Sequence, residues 1–124
     1  MSKPKREKNY DALAEARHRF ARMPARKARL VCDLVRGKSV GEAIDLLTLT
    51  HKPSAAPDLL NVIKSARANA RQKGYSEAEA DGLVLSDVFV DGAPMIKRMR
   101  PAPMGRGVRV RKRSCHITVR LNEF

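Results

Sequence analysis

A chain of 124 residues has room for one compact domain, because two cores of half that size would each struggle to fold unaided. Its 28 Leu, Ile, Val and Phe residues suffice for a modest core, yet 26 Lys plus Arg against 13 Asp plus Glu leave a net charge of +13, which calls for a polyanionic partner. The composition excludes a membrane span, which takes roughly 18 apolar residues in a row, while the charged residues 1–9 read as no secretory signal and point to the cytoplasm.

Taken in chain order, residues 1–11 form a basic tail expected to be disordered until it meets its partner. From residue 12 to 21 the pattern alternates, with Ala14, Ala16, His18 and Phe20 on one side and Glu15, Arg17, Arg19 and Ala21 on the other, the period of a strand. Pro24 then suits a helix start, Leu30, Val31, Leu34 and Val35 supply its apolar stripe, and Gly37 stops it. Arg26, Lys27, Arg29 and Arg36 project mostly away from that stripe.

Ser39 followed by Glu42 predicts a capping box at a second helix, whose buried side is Val40, Ala43, Ile44 and Leu47. Pro53 and Pro57 open a longer third helix with Leu59, Leu60, Val62, Ile63, Ala66 and Ala70 inward, closed by Gly74. Lys64, Ser65 and Asn69 read as helix-surface residues. Residues 76–82 read as a polar, acidic loop.

The run from residue 83 to 90 has the β-branched and aromatic content of a strand. Its partner lies at residues 114–121, where Cys115, Ile117, Val119 and Leu121 alternate with Ser114, His116, Thr118 and Arg120. The connector alternates through Val108, Arg109, Val110 and Arg111, so the strands should run on as a hairpin over about residues 84–119, projecting on the order of 30 Å. Pro94, Pro101 and Pro103 lack ladder donors and Gly105 and Gly107 permit tight turns, which predicts an irregular tip over residues 99–106. The expected fold is α+β: three helices on a small antiparallel three-stranded sheet, all within residues 12–124, with a long β-hairpin projecting.

Charge is concentrated at two places. Residues 1–31 carry ten basic and three acidic side chains, and residues 92–113 carry eight basic and none acidic. The hairpin segment has no aromatic residue, and its six Arg and two Lys suit phosphate gripping rather than base stacking, which favours folded RNA or DNA over a free single strand. Cys32 and Cys115 stand far apart, and with His18, His51 and His116 they form no metal pattern, so both read as buried free thiols.

Two other readings share these residues. An architectural DNA-binding protein would lay basic β-arms into a groove and use Met99 and Met104 as wedges. An RNA-processing enzyme would need His116 as general base with Asp87 or Asp91 as partner, although a phosphate or backbone contact explains His116 more simply. A membrane-surface role lacks its amphipathic basic helix.

Residues 26–38 (RKARLVCDLVRGK), 66–70 (ARANA), and above all Lys97-Arg98 through Gly105-Arg106 to the run at 112–119 (KRSCHITV) carry a family likeness. From about Ala14 to Leu121 the chain closely resembles the large-subunit ribosomal protein twenty-two family of bacteria. The resemblance implies a structural, non-enzymatic protein without cofactor or metal, acting as a single copy in the cytoplasm. Its α/β body would sit on the outer surface of the large ribosomal subunit and its hairpin would thread through 23S rRNA, stabilising the RNA fold during assembly. Partners would be that rRNA, neighbouring ribosomal proteins and the nascent polypeptide.

Carried over by position, Lys97, Arg98, Arg109, Arg111, Lys112, Arg113 and His116 would hold the hairpin. Arg17, Arg19, Arg22, Arg26, Lys27, Arg29, Arg36 and Lys38 would dock the body. Met99, Arg100, Pro101, Ala102, Pro103, Met104, Gly105 and Arg106 would form the tip lining the polypeptide exit tunnel. Two departures stand out: Ala102 and Met104 replace common basic residues, and Pro24-Ala25 replaces a usual Ser-Pro, removing a side-chain cap.

Overall fold

Alternation in the first segment produces strand β1 (Ala14–Ala21), with Ala14, Ala16 and Ala21 buried. The structure, a computed structural model, describes residues 12–123, so the expected basic tail lies outside the described residues. Four α-helices follow: α1 (Ala25–Val35), α2 (Val40–Leu49), α3 (Ala55–Gln72) and α4 (Glu77–Gly82). Strands β2 (Val84–Pro101) and β3 (Gly107–Asn122) complete an antiparallel sheet of order β1-β3-β2, so the last strand is central. Helix α3 packs on β1 and β3 and α1 on β2, against the face that carries Cys115, Ile117, Val119 and Leu121, while α2 packs on α3. The α+β architecture is the one expected.

The expected acidic loop at residues 76–82 is instead helix α4. Ser76 Oγ accepts from Glu79 N at 3.3 Å while Glu79 Oε2 accepts from Ser76 N at 2.8 Å, a complete capping box. Arg67 of α3 clamps the helix from the side, with Nε 2.6 Å from Asp81 Oδ1 and Nη2 3.2 Å from Glu77 Oε1. At Ser39 only the serine half of the predicted box forms, Ser39 Oγ accepting from Glu42 N.

The buried stripe of α1 is rotated from the expected one. Ala28, Val31, Cys32 and Val35 face the core, whereas Leu30 and Leu34 are 63% and 46% exposed. Small Ala28 and Cys32 let the helix approach the sheet closely, and that choice swings Arg29 and Arg36 to the border of the buried face. From there Arg36 donates through Nε and Nη2 to Val88 O (3.3 and 2.8 Å), and Arg29 does the same to Val90 O (3.3 and 3.0 Å). Residues 37–40 continue the seal, with Gly37 N bonding Leu85 O, Leu85 N bonding Lys38 O, and Val40 N bonding Leu83 O. On the opposite edge of the sheet, Asn69 of α3 and Lys73 at its C-cap donate to the carbonyls of Glu15 and Leu13. Side chains and loop backbone thus occupy part of both edges of the sheet, which hinders strand addition there.

Pro24 is the N-cap of helix α1 and supplies no side-chain cap, as the Pro24-Ala25 departure implies. Restoring the order with Pro24→Ser and Ala25→Pro places a hydroxyl at the cap (ψ 137°, compatible with a following proline) and a proline at the first helical position. The double variant should gain about 0.5–2 kcal/mol, read as a rise in urea midpoint at unchanged m-value.

Both cysteines are buried and free. Burial pushes the Cys32 thiol up to about 11 and raises that of Cys115 as well. Neither should react with a disulfide reagent at neutral pH until the chain unfolds. Because both folded values lie above the unfolded ones, the stability they contribute is complete below the unfolded value near 9 and is lost as pH rises toward 11. Urea titrations at pH 8 and pH 10.5, compared with those of a Cys32→Ala variant, check the sign.

Candidate nucleic-acid interface

Pairing of β2 with β3 runs from Val84↔Asn122 out to Pro101↔Gly107 and is interrupted by two irregularities. The first, between Leu85 and Asp87, resets the alternation so that Leu85 and Val88 both face the core. The second, between Ala93 and Ile96, contains Pro94, where a missing ladder donor does no harm. Beyond it the two strands form a bare arm, since no apolar residue between Val90 and Cys115 is buried.

The ladder extends further than expected. Met99, Arg100 and Pro101 are paired strand residues, opposite Arg109, Val108 and Gly107, so the irregular tip shrinks to residues 102–106. Proline can end a ladder from the outside, where no donor is needed. The turn is closed by Ala102 N donating to Arg106 O at 2.7 Å, with Met104 (φ 63°) and Gly105 (φ 72°) both left-handed. The Met104 side chain is almost entirely exposed.

Register sorts the arm's side chains onto two faces. One carries Lys97 opposite Arg111 and Met99 opposite Arg109; the other carries Arg98 opposite Val110, Arg100 opposite Val108, and Lys112 opposite Ile96. Arg106 lies in the tip and Arg113 beside the second irregularity. All eight cations are exposed, and among the described residues none has an ion-pair partner. Like charges directly opposite, as at Lys97 and Arg111, destabilise a ribbon that has no core to offset them. At the arm's root a groove of about 290 Å³ is lined by Met23, Pro24 and Ile96 together with Arg22, Arg111, Lys112 and Arg113.

The body contributes unequally. Arg22, Arg26, Lys27 and Lys38 are exposed, but Arg29 and Arg36 are tied to the β2 carbonyls, and Arg36 also pairs with Asp33 at 2.6 Å. Arg17 pairs with Glu15 at 2.6 Å. Burial raises the Glu15 carboxyl, but hydrogen bonds and charge from Arg17 and Arg120 outweigh it and hold the group below its ordinary value.

His116 and Phe20 belong together. The β1–β3 register slips between His18 and Ala21, inserting one extra β1 residue, and Phe20 there adopts φ 58°. A bulky residue in that region costs about 1–3 kcal/mol. Phe20 N donates to His116 Nδ1 at 3.0 Å, and the two rings meet edge to face at 4.8 Å. His116 stands opposite Asp91 in register, as a base and its partner would, but its Nδ1 is taken by main chain. The simple alternation missed Phe20. The available signal was size: every fully buried β1 position is Ala, α3 packs on β1 with a buried side that includes Ala66 and Ala70, and a phenyl ring does not fit that layer.

A closed α+β body bearing a charged ribbon with no core of its own defines a class of protein that holds a polyanion by charge and shape. The model of the family described as ribosomal protein L22p/L17e matches residues 16–122, from β1 to the end of β3, and the chain belongs to that family. It is accordingly an RNA-binding, structural constituent of the large ribosomal subunit in the cytoplasm and acts in translation.

Proposed function

We propose that the protein binds 23S rRNA through two basic surfaces and inserts its arm into the folded RNA, stabilising that fold during assembly. The observation that carries this reading is the arm itself: eight cations, no carboxylate and no buried side chain on a two-stranded ribbon. Such a ribbon is marginal in water and becomes favourable when phosphates line both faces. Lys97, Arg98, Arg109, Arg111, Lys112 and Arg113 grip phosphates along the arm, and Arg17, Arg19, Arg22, Arg26, Lys27 and Lys38 dock the body. Arg29 and Arg36 act chiefly by fixing α1 to the edge of β2, with their remaining donors toward RNA. His116 serves by orienting the chain at Phe20.

In this reading residues 99–106 reach the polypeptide exit tunnel and the nascent chain, while the body meets neighbouring ribosomal proteins. Ala102 and Met104 make that tip less positive than a basic pair would. Sucrose-gradient fractionation in low and high salt, followed by mass spectrometry, tests the assignment. Stable co-migration with the large subunit is the expected result. Enrichment on nucleoid DNA, with equal affinity for rRNA and duplex DNA at the same salt, would replace it with the architectural DNA-binding reading.

A further inference from the structure

We propose that Phe20 is a stacking platform for one unpaired nucleobase of ribosomal RNA, with Arg19 taking the adjoining phosphate. This rests on the rRNA-binding reading and adds to it a base contact, where the arm offers only phosphate contacts.

Four observations converge on Phe20. Phe20 is 54% exposed on a chain with only three Phe and no Trp, so burial does not explain it. Its backbone sits at φ 58°, a conformation that glycine adopts without strain and that a bulky side chain occupies only when something holds it there. That hold is visible: the Phe20 N–H is fixed by His116 Nδ1 and the ring is braced edge-on by the imidazole. Finally, the Arg19 guanidinium carbon lies 5.3 Å from the ring centroid, and among the described residues Arg19 has no carboxylate partner.

Location agrees with this. His116 lies on the sheet face opposite Cys115 and Ile117, away from the helices, so the ring it braces is on the open side of the sheet. Ala21, the next residue, pairs with Cys115 at the root of the basic arm. A strained, braced and exposed aromatic beside an unpaired guanidinium has the chemistry of single-strand recognition, in which bases stack on rings while cations hold the backbone. The adjoining root of the arm is lined by Arg22, Arg111, Lys112 and Arg113 with no acidic residue among them, a charge that suits an RNA backbone.

The test titrates the full chain against transcribed large-subunit rRNA over a range of salt, with Phe20→Gly, Phe20→Leu and Phe20→Tyr beside the wild type. Phe20→Gly removes the ring and the strain together. It should unfold at or above the wild-type temperature yet bind about fivefold or more weakly, the usual effect of losing one stacked base. The slope of log affinity against log salt should stay unchanged, because no phosphate contact is lost. Phe20→Tyr should bind like wild type, and ultraviolet cross-linking should give a nucleotide adduct on the Phe20 peptide.

Wild-type affinity in Phe20→Gly overturns the stacking role while leaving rRNA binding by the arm intact. If Phe20→Gly fails to fold, Phe20→Leu decides: weak binding supports the platform, and wild-type binding overturns it. Should the wild-type protein bind rRNA no more tightly than duplex DNA, the rRNA reading falls and this proposal with it.

Discussion

Changing Arg98, Arg109 and Arg113 together to Gln should weaken rRNA binding roughly hundredfold near 0.1 M salt and lower the log–log salt slope by about 2 units. The three positions sample the arm's length and both of its faces: Arg98 opposite Val110 on one, Arg109 opposite Met99 on the other, and Arg113 beside the irregularity at the root. Each neutralised phosphate releases condensed counterion, and each lost contact flattens the slope by something under one unit. Gln keeps a polar, hydrogen-bonding side chain while removing the charge, and the change in salt slope reads the charge. Fold stability should hold or rise, since the substitutions remove repulsion and no buried contact. An unchanged slope would show that the arm is not the phosphate-binding element.

Excising the arm separates folding from binding more completely. Ala93 and Ser114 face each other across the ladder, so deleting the residues between them and bridging with Asn-Gly leaves a register compatible with a tight hairpin. Among the described residues all 27 buried apolar ones lie within residues 14–90 and 115–121, and the shortened chain retains every one of them. The deletion removes eight cations and no acid, cutting the net charge from +13 to +5. The body should therefore unfold within a few degrees of the intact protein, cooperatively, while its affinity for rRNA falls by more than that of the triple variant. A body that no longer unfolds cooperatively would mean that the arm is needed for folding, contrary to its lack of buried side chains.

Much of the fold was legible because the underlying patterns are local. The period-2 alternation at residues 114–121 set the buried face of β3 residue by residue, whereas Pro94, read with Pro101 and Pro103 as a sign of the irregular tip, instead sits in the second irregularity between Ala93 and Ile96. The concentration of eight cations in 22 residues located the candidate interface before any tertiary contact was known. Helix α4 was equally local, its Ser76–Glu79 box being of the same kind as the Ser39–Glu42 pair. Its acidic, polar composition masks that signal.

Other features depend on contacts between elements distant in the chain. Which side of α1 is buried turned on the closeness of its approach to β2, where Ala28 and Cys32 fit and Leu30 and Leu34 do not. The same rotation made edge clamps of Arg29 and Arg36, two cations that the sequence could not distinguish from Arg26 and Lys27. The setting of Phe20 needed a one-residue slip between β1 and β3 and a histidine 96 positions away. By itself, then, the sequence determined the strand periods, most of the helices and the placement of the charge, because these follow from spacing along one element. Only the tertiary structure decided which cations are tied to the protein's own carbonyls and which side chain is held exposed, because both depend on backbone groups and ring neighbours supplied by other parts of the chain.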